Sequence, residues 1–302
     1  MGFLYLLEKI RVPGLNELML LVTRLGEETA FLVVALIVFW CVDKKKGYFV
    51  MAVGFLGTML NQILKLSFRV PRPWVRDPNF TILEQAKEAA TGYSFPSGHT
   101  TSAVGTFGSL AVVARQKWWR IVCIVIAALV GFSRMYIGVH FPSDVLVGAG
   151  TSLILIGLLK KPTLQGGIRE MKAVIATMVA VSVVFLLYVS FWNFPVDMDP
   201  HNMESGVKNA YTMIGCLTGV AIVYLVDVKY LHFPVKAVWW VQIIKIVVGL
   251  GLVLAVKEGL RAPLELIMPV YPARAVRYFL IVITAGSLWP MSFAHLSKLG
   301  SK

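Results

Sequence analysis

Long apolar runs alternate with short polar joins along most of the chain. Gly, Pro and charged residues concentrate in the joins, as in "RVPRPWVRDPN" at 69–79 and "NFPVDMDPHNMESG" at 193–206. A helix needs roughly 20 apolar residues to cross a bilayer, and several runs approach that length. The pattern predicts an all-α polytopic transmembrane bundle of about nine spans. The predicted spans are about 25–42, 48–66, 98–115, 120–138, 144–160, 172–192, 207–226, 236–256 and 277–296.

The N-terminal residues follow a different pattern. In "RVPGLNELMLLVTRLGEE" the leucines recur at helical spacing and the charges lie on the other side. A helix with this pattern lies along the membrane interface. We therefore expect an N-terminal interfacial segment over 1–24, a helical bundle over 25–160 and a C-terminal extension of four spans over 161–302.

Composition supports a membrane protein and explains the charge. The chain is 57% hydrophobic and 15% charged, whereas soluble domains carry roughly 25% charged residues. The net charge of +13 comes from short basic groups between the apolar runs, not from one basic face. Such groups set membrane topology and contact anionic headgroups, so we expect membrane lipids and no nucleic acid as partners. The scattered cysteines predict neither a disulfide framework nor a metal site.

The charge of the joins also predicts an orientation. The set that includes 43–47, 115–120 and 160–172 holds most of the clustered Lys and Arg, which favours the cytoplasm for that set. The join at 257–277 is basic too, although it falls on the other side. The N-terminus lacks the features of a signal peptide. Together with the compact joins, this suits a bacterial inner membrane with the joins at 67–96 and 139–143 facing the extracytoplasmic side.

Three joins on the predicted outer side carry reactive side chains. Lys65 ends the second span, and Arg72 follows it in "KLSFRVPRP". The motif "PSGH" at 96–99 opens the third span, and "SRMYIGVHFPSD" at 133–144 connects the fourth span to the fifth. The alternating topology brings all three joins to one membrane face. We therefore expect them to form a single site, whose further members are Arg134, His140 and Asp144.

These residue types suit a phosphate group. Two arginines and a lysine form a positively charged cradle, and guanidinium groups match phosphate oxygens bidentately. Gly98 allows close approach to backbone amides at a helix N-terminus, which bind anions. Asp144 follows His140 by four residues, a spacing that can place a carboxylate on Nδ1–H and leave Nε2 for the substrate. The sequence contains no Asp/Glu cluster suited to Mg²⁺ and no HExxH motif, so we expect no metal and no cofactor.

The motifs K-x6-RP, PSGH and SR-x5-H-x3-D, in this order, resemble the three signature motifs of the type 2 phosphatidic acid phosphatase family. The resemblance covers about residues 25–160 and implies metal-independent hydrolysis of phosphomonoesters or diphosphates through a phosphohistidine. It implies that His140 attacks phosphorus, that Asp144 orients it, and that His99 protonates the leaving oxygen and later activates water. The implied phosphate-binding residues are Lys65, Arg72, Ser97, Gly98 and Arg134.

Beyond residue 160 the resemblance is weaker. The segments "IIKIVVGLGLVLAVKEGLRAPLE" and "RYFLIVITAGSLWP" are similar to the sphingosine-1-phosphate phosphatase branch, and the nine-helix layout also resembles glucose-6-phosphatase. An apolar surface beside the site favours a lipid phosphate as substrate. Two other functions stay open: transfer of the phosphoryl group to another lipid, and lipid transport on the same bundle. The sequence determines neither the particular lipid nor the oligomeric state.

Several other polar residues have two interpretations each. Lys245, near the middle of an apolar span, either pairs with a carboxylate or a headgroup, or extends along a helix groove. The residues Ser94, Tyr93 and Thr100 either support the motifs or merely cap and pack. Glu27 and Glu28 either pair with a site arginine or face the surface. The acidic residues Asp197, Asp199 and Glu204 either admit a polar substrate or a cation, or belong to a solvated loop. We expect His201, His232 and His295 to be loop or interfacial residues outside the site.

Overall fold

The structure is a computed structural model that describes residues 1–87, 90, 92–195 and 198–299. It is built from helices, and no β-strand occurs among these residues. The α-helices in chain order are α1 (Gly2–Lys9), α2 (Pro13–Arg24), α3 (Glu28–Ile37), α4 (Lys44–Phe68), α5 (Pro73–Arg76), α6 (Gly98–Ala103), α7 (Ser109–Val113), α8 (Lys117–Tyr136), α9 (Pro142–Leu164), α10 (Ile168–Phe191), α11 (Pro200–Val226), α12 (Trp239–Gly259), α13 (Arg261–Ile267), α14 (Val270–Ile283) and α15 (Phe293–Leu296).

Seven helical segments in the described part of the chain are long and apolar enough to cross a membrane. They are Lys44–Arg76, Lys117–Tyr136, Pro142–Leu164, Ile168–Phe191, Pro200–Leu231, Trp239–Ile267 and Val270–Leu296. An eighth span results if the bent pair Pro13–Arg24 and Glu28–Val42 is counted as one. The remaining predicted span, 98–115, corresponds to the helical residues 98–113. The predicted fold, an all-α polytopic transmembrane bundle of about nine spans, is confirmed.

The helix over 98–113 is shorter than the seven membrane-length segments. It consists of α6, a π-helical turn at Val104–Gly108 and α7, and it ends where Ala114 takes an extended conformation. At ~1.5 Å per residue it is about 24 Å long, less than the ~30 Å of a hydrocarbon core. A Cβ added at Gly148 of α9 would lie 2.8 Å from the carbonyl oxygen of Ser97. Helix α9 can pack this closely against the start of the helix over 98–113 because residue 148 is a glycine.

The N-terminal segment forms two short helices where the sequence predicted one. The chain breaks after α1, and Pro13 begins α2 at a first-turn position where its missing N–H costs nothing. Helix α2 packs against α8, and a bend of 53° separates α2 from α3. The side chain of Arg11 joins the break to the end of α8, since its Nε donates to the Tyr136 carbonyl at 2.9 Å. These contacts fix the N-terminal segment to α8, whose last turn begins the third motif.

Residue contacts divide the chain into two compact units. The first unit consists of Met1–Leu32, Val53–Lys161 and Val196–Ser205. The second consists of Val33–Ala52, Pro162–Pro195 and Gly206–Lys302. All eight predicted site residues belong to the first unit.

Lys245 of the second unit is a buried cation held by carbonyl and aromatic groups. Lys245 is fully buried in α12, and its Nζ donates to the carbonyls of Pro234 and Val235 at 3.2 and 3.0 Å. The same ammonium lies 4.5 Å from the ring centroid of Phe293. Its partners are therefore two carbonyls and an aromatic face. The alternative that paired Lys245 with a carboxylate or a headgroup is not what the structure shows.

Candidate active site

His140 lies in the short loop between α8 and α9. Gly138 takes a positive φ of 89° there, a conformation that favours glycine, and it reverses the chain directly after α8. Pro142 then begins α9 at the first helical position, where its missing N–H costs nothing. The loop is therefore fixed on both sides of His140, and the imidazole is only 2% exposed.

Both ring nitrogens of His140 face charged partners. Arg72 Nη1 lies 3.1 Å from Nε2, and Asp144 Oδ2 lies 3.4 Å from Nδ1. Because a guanidinium group can only donate, Nε2 accepts and Nδ1 carries the proton toward the carboxylate. This tautomer leaves the lone pair on Nε2, the atom that the motif spacing predicted to face the substrate.

Asp144 is anchored by more than the histidine. Its Oδ2 accepts a hydrogen bond from Ser94 Oγ at 2.5 Å and another from the Phe141 amide at 2.9 Å. Its backbone carbonyl accepts from the Ser97 amide at 3.0 Å. Of the two interpretations of Ser94, the structure favours support of the motif, because the hydroxyl contacts the predicted catalytic carboxylate directly. The second and third motifs are joined through this one residue, Asp144.

Ser97 caps the helix that begins at Gly98. Its Oγ accepts from the Thr100 amide at 3.4 Å and from the Thr100 hydroxyl at 2.9 Å, so Thr100 serves the cap. A Cβ added at Gly98 would meet only Asn61 Oδ1, at an ordinary contact distance of 3.5 Å. Packing within the protein therefore does not require glycine at position 98. Close approach of a ligand to the first amides of the helix would require it.

His99 occupies the second position of α6 and is partly exposed. Among the described residues, none forms a hydrogen bond with its imidazole, so the ring is available to a substrate. Its backbone is packed against Gly26, where an added Cβ would lie 2.8 Å from the His99 carbonyl oxygen. The chain thus holds the main chain of His99 firmly and leaves its side chain accessible.

Three cations surround the predicted nucleophile. Lys65 Nζ donates to the Tyr93 carbonyl at 2.6 Å. Arg72 Nε donates to the Gly92 carbonyl at 2.9 Å, and Arg134 Nη1 donates to Thr23 Oγ1 at 2.7 Å. Both arginines are buried, and Nε of Arg134 has no hydrogen-bond partner among the described residues. The cradle is therefore held by carbonyls and hydroxyls, which orient the cations without neutralising them.

The electrostatics of the loop follow from this arrangement. Burial lowers the pKa of His140 well below its ordinary 6.5, and the positive charges of Arg72, Arg134, Lys65 and His99 lower it further. The imidazole is therefore neutral at physiological pH. Since the cations outnumber the carboxylate, the site favours a ligand that carries negative charge.

Three residues around the site were missed by the sequence analysis. Thr23 holds Arg134, and Asn202 accepts from the Tyr93 amide at 3.0 Å through Oδ1. Asn61 donates through Nδ2 to Thr101 Oγ1 at 3.1 Å and to the Pro96 carbonyl at 3.3 Å. Only Asn61 leaves a signal in the sequence, because it lies one helical turn before Lys65 on an apolar helix. Thr23 and Asn202 contact residues that are more than 100 positions away in the sequence, so local spacing gives no sign of them.

In the described ranges no group of three or more His, Cys, Asp or Glu side chains is arranged to hold a metal ion. His201 and Asp199 lie at the start of α11, where the His201 amide donates to Asp199 Oδ1 at 2.9 Å. Asp197 lies outside the described residues.

Comparison with known proteins identifies two regions of the chain. The model of the PAP2 superfamily matches residues 46–162. A second model, described as the transmembrane extension of a PAP2 superfamily phosphatase, matches residues 211–302. No solved structure matches the chain significantly.

Several curated proteins are similar to the chain. It is 32% identical over 166 residues to phosphatidylglycerophosphatase B of Bacillus subtilis, a match that covers 50% of the chain and 76% of the relative. It is 36% identical over 106 residues to undecaprenyl-diphosphatase BcrC of the same organism, with 35% and 51% covered. A probable sphingosine-1-phosphate phosphatase of Dictyostelium discoideum is 33% identical over 138 residues, which cover 41% of the chain and 32% of the relative.

Proposed function

Because the chain belongs to the PAP2 superfamily and is a phosphatase, we propose that it hydrolyses a lipid phosphate through a phosphohistidine and without a metal ion. The family predicted from the three motifs is confirmed by the comparisons. One observation carries the mechanism: the buried His140 has Nε2 against a guanidinium and Nδ1 against a carboxylate. A neutral imidazole in that setting is an activated nucleophile.

In the first step, the Nε2 lone pair of His140 attacks phosphorus. The P–O bond to the leaving group breaks as the N–P bond forms, and the leaving group is the lipid alcohol of a monoester or the lipid monophosphate of a diphosphate. His99, which the negative charge of the bound phosphate keeps protonated, gives its proton to that leaving oxygen. Asp144 stabilises the positive charge that develops on the imidazole, as the aspartate of a Ser-His-Asp triad does. When the substrate binds, the Arg72 guanidinium leaves Nε2 and donates to the phosphoryl oxygens instead.

In the second step, water attacks the phosphohistidine. His99, now neutral, takes a proton from the water as the O–P bond forms and the N–P bond breaks, which releases phosphate and restores His140. Throughout both steps the cations Lys65, Arg72 and Arg134, with the amides at Gly98, stabilise the charge on the equatorial oxygens. These groups supply the positive charge that a metal ion would otherwise provide.

The substrate that we propose is a phosphomonoester or diphosphate of a membrane lipid. The names of the relatives, a phosphatidylglycerophosphatase and an undecaprenyl-diphosphatase among them, support this class. His140 lies between the ends of two membrane-length helices, which suits a phosphate at headgroup depth with its lipid tail between the helices. The charge bias of the joins supports an extracytoplasmic active site in a bacterial inner membrane.

The test is phosphate release by the full-length protein in detergent. The substrates are phosphatidate, lysophosphatidate, a sphingoid base phosphate, a prenyl diphosphate and glucose 6-phosphate. We expect a lipid to be the best substrate, and we expect His140→Ala to lose about a thousandfold or more in kcat. The control is His201→Ala, an exposed histidine outside the motifs, which should keep full activity. Turnover by His140→Ala at the wild-type rate would overturn the mechanism, and a preference for glucose 6-phosphate would overturn the lipid assignment.

A further inference from the structure

Helices α11 and α14 of the second unit pack unusually close together. Gly215 and Gly219, one helical turn apart on α11, face α14. A Cβ at Gly219 would lie 2.9 Å from the Cβ of Val282, and one at Gly215 would collide with the carbonyl of Ala275. Small residues at such a spacing let membrane helices approach backbone to backbone. The close contact therefore brings side chains of the two helices beside one another.

The N-terminal halves of these two helices carry arginine and tyrosine side chains. The rings of Tyr211 and Tyr271 stack with centroids 5.6 Å apart. Arg274 Nε donates to Thr212 Oγ1 at 2.7 Å, which fixes its guanidinium to α11. The guanidinium carbons of Arg274 and Arg277 lie 5.2 and 5.7 Å from the centroid of Tyr278. The two arginines thus share one aromatic neighbour and lie on one side of α14.

The charge of Arg277 has no anion within the described residues. Its side chain is only 7% exposed, and its buried Nε has no hydrogen-bond partner there. Neither Arg274 nor Arg277 forms an ion pair with a described residue, and Glu265 of the preceding helix α13 is paired with Arg261. A buried, uncompensated charge on a membrane helix is costly, and functional partners are its usual explanation.

We propose that Arg274 and Arg277 bind the phosphate group of an anionic membrane lipid, at a site separate from the phosphate cradle of the three motifs. Both residues lie within the first two helical turns of α14, the depth at which headgroups and interfacial tyrosines are found. Guanidinium groups bind phosphate oxygens bidentately. The stacked pair of Tyr211 and Tyr271 provides an amphipathic surface beside the lipid. The site does not depend on the proposed function, because none of its residues enters that chemistry.

The experiment measures lipid binding to the full chain. Phosphatidylglycerol is the probe, because it is a phosphodiester and not a substrate of the proposed reaction. The protein is delipidated in detergent, titrated with phosphatidylglycerol or phosphatidylcholine, and examined by native mass spectrometry. We expect one phosphatidylglycerol to bind more tightly than phosphatidylcholine, and Arg274→Gln/Arg277→Gln to weaken that binding about tenfold.

The matched control is Arg261→Gln, an exposed arginine on α13, which should bind phosphatidylglycerol like the wild type. If the double variant does not fold, Arg277→Lys retains the charge without the guanidinium fork and should weaken binding about threefold. Unchanged binding in a folded variant would overturn the site. Competition by excess inorganic phosphate would overturn the lipid as its occupant, because a soluble anion would then be sufficient.

Discussion

Ser94→Ala should slow the chemical step and leave substrate binding nearly unchanged. Ser94 is fully buried, and its Oγ donates to Asp144 Oδ2 at 2.5 Å. Without it the carboxylate oxygen keeps the Phe141 amide at 2.9 Å as its one short hydrogen bond. The carboxyl group can then rotate away from His140 Nδ1, which lies at 3.4 Å. The predicted nucleophile would lose its orienting partner while the phosphate cradle stays in place.

The size of the effect follows from the kind of hydrogen bond lost. A hydrogen bond to a charged group contributes about 1.5–3 kcal/mol, and burial prevents water from replacing the hydroxyl. At ~1.4 kcal/mol for each factor of ten, kcat should fall about tenfold to a hundredfold. KM should change by less than about threefold, because Ser94 touches the nucleophile's partner and not the cradle.

The assay compares Ser94→Ala, Ser94→Thr and Ser143→Ala in phosphate release from the best lipid substrate. Ser143 is the matched control, because its exposed hydroxyl also contacts Asp144 but only at 3.4 Å from Oδ1. We expect its removal to change kcat by less than about twofold, and we expect threonine at position 94 to restore most of the activity. A Ser94→Ala enzyme with wild-type kcat would refute the reasoning.

Other expected outcomes concern pH, the helix start, the metal and the second unit. Because the pKa of His140 is lowered, its protonation should remove activity only as the pH falls below 6.5. A pH profile of kcat/KM checks this, and a loss of activity that begins above pH 6.5 on acidification would contradict it. Gly98→Ala should keep the melting temperature, because its Cβ meets only Asn61, yet lose kcat/KM by blocking the phosphate. Orthovanadate should inhibit as a transition-state mimic, whereas dialysis against a chelator should leave turnover intact. Lys245→Met should lower the unfolding temperature in detergent, because the carbonyls of Pro234 and Val235 lose their hydrogen-bond donor. The expected loss of stability is about 1–3 kcal/mol. An unchanged unfolding temperature would contradict this prediction.

The sequence predicted the site better than it predicted what holds the site. Each motif requires particular residue types at short spacing, so His140 and Asp144 could be paired from a four-residue interval alone. Thr23 and Asn202 could not be predicted in the same way. They contact the motifs across long stretches of chain, and any polar residue of similar size at those positions would have fitted the same pattern.

Hydrophobic periodicity predicted the spans because the bilayer sets their length. It did not predict the chain break before Pro13, because a break of this kind depends on local geometry. The partners of Lys245 were also unpredictable, since backbone carbonyls carry no sequence signature. The orientation in the membrane stays a prediction from charge.

The most direct test of the account is to trap the covalent intermediate. The full-length enzyme is mixed with a lipid substrate labelled in the phosphoryl group, quenched within one turnover in alkaline denaturant, and mapped by mass spectrometry. The account predicts a phosphoryl group on His140 of the wild-type enzyme and its absence in His140→Ala. Label on another residue, or single-turnover phosphate release with no labelled protein at any time, would contradict a phosphohistidine at His140.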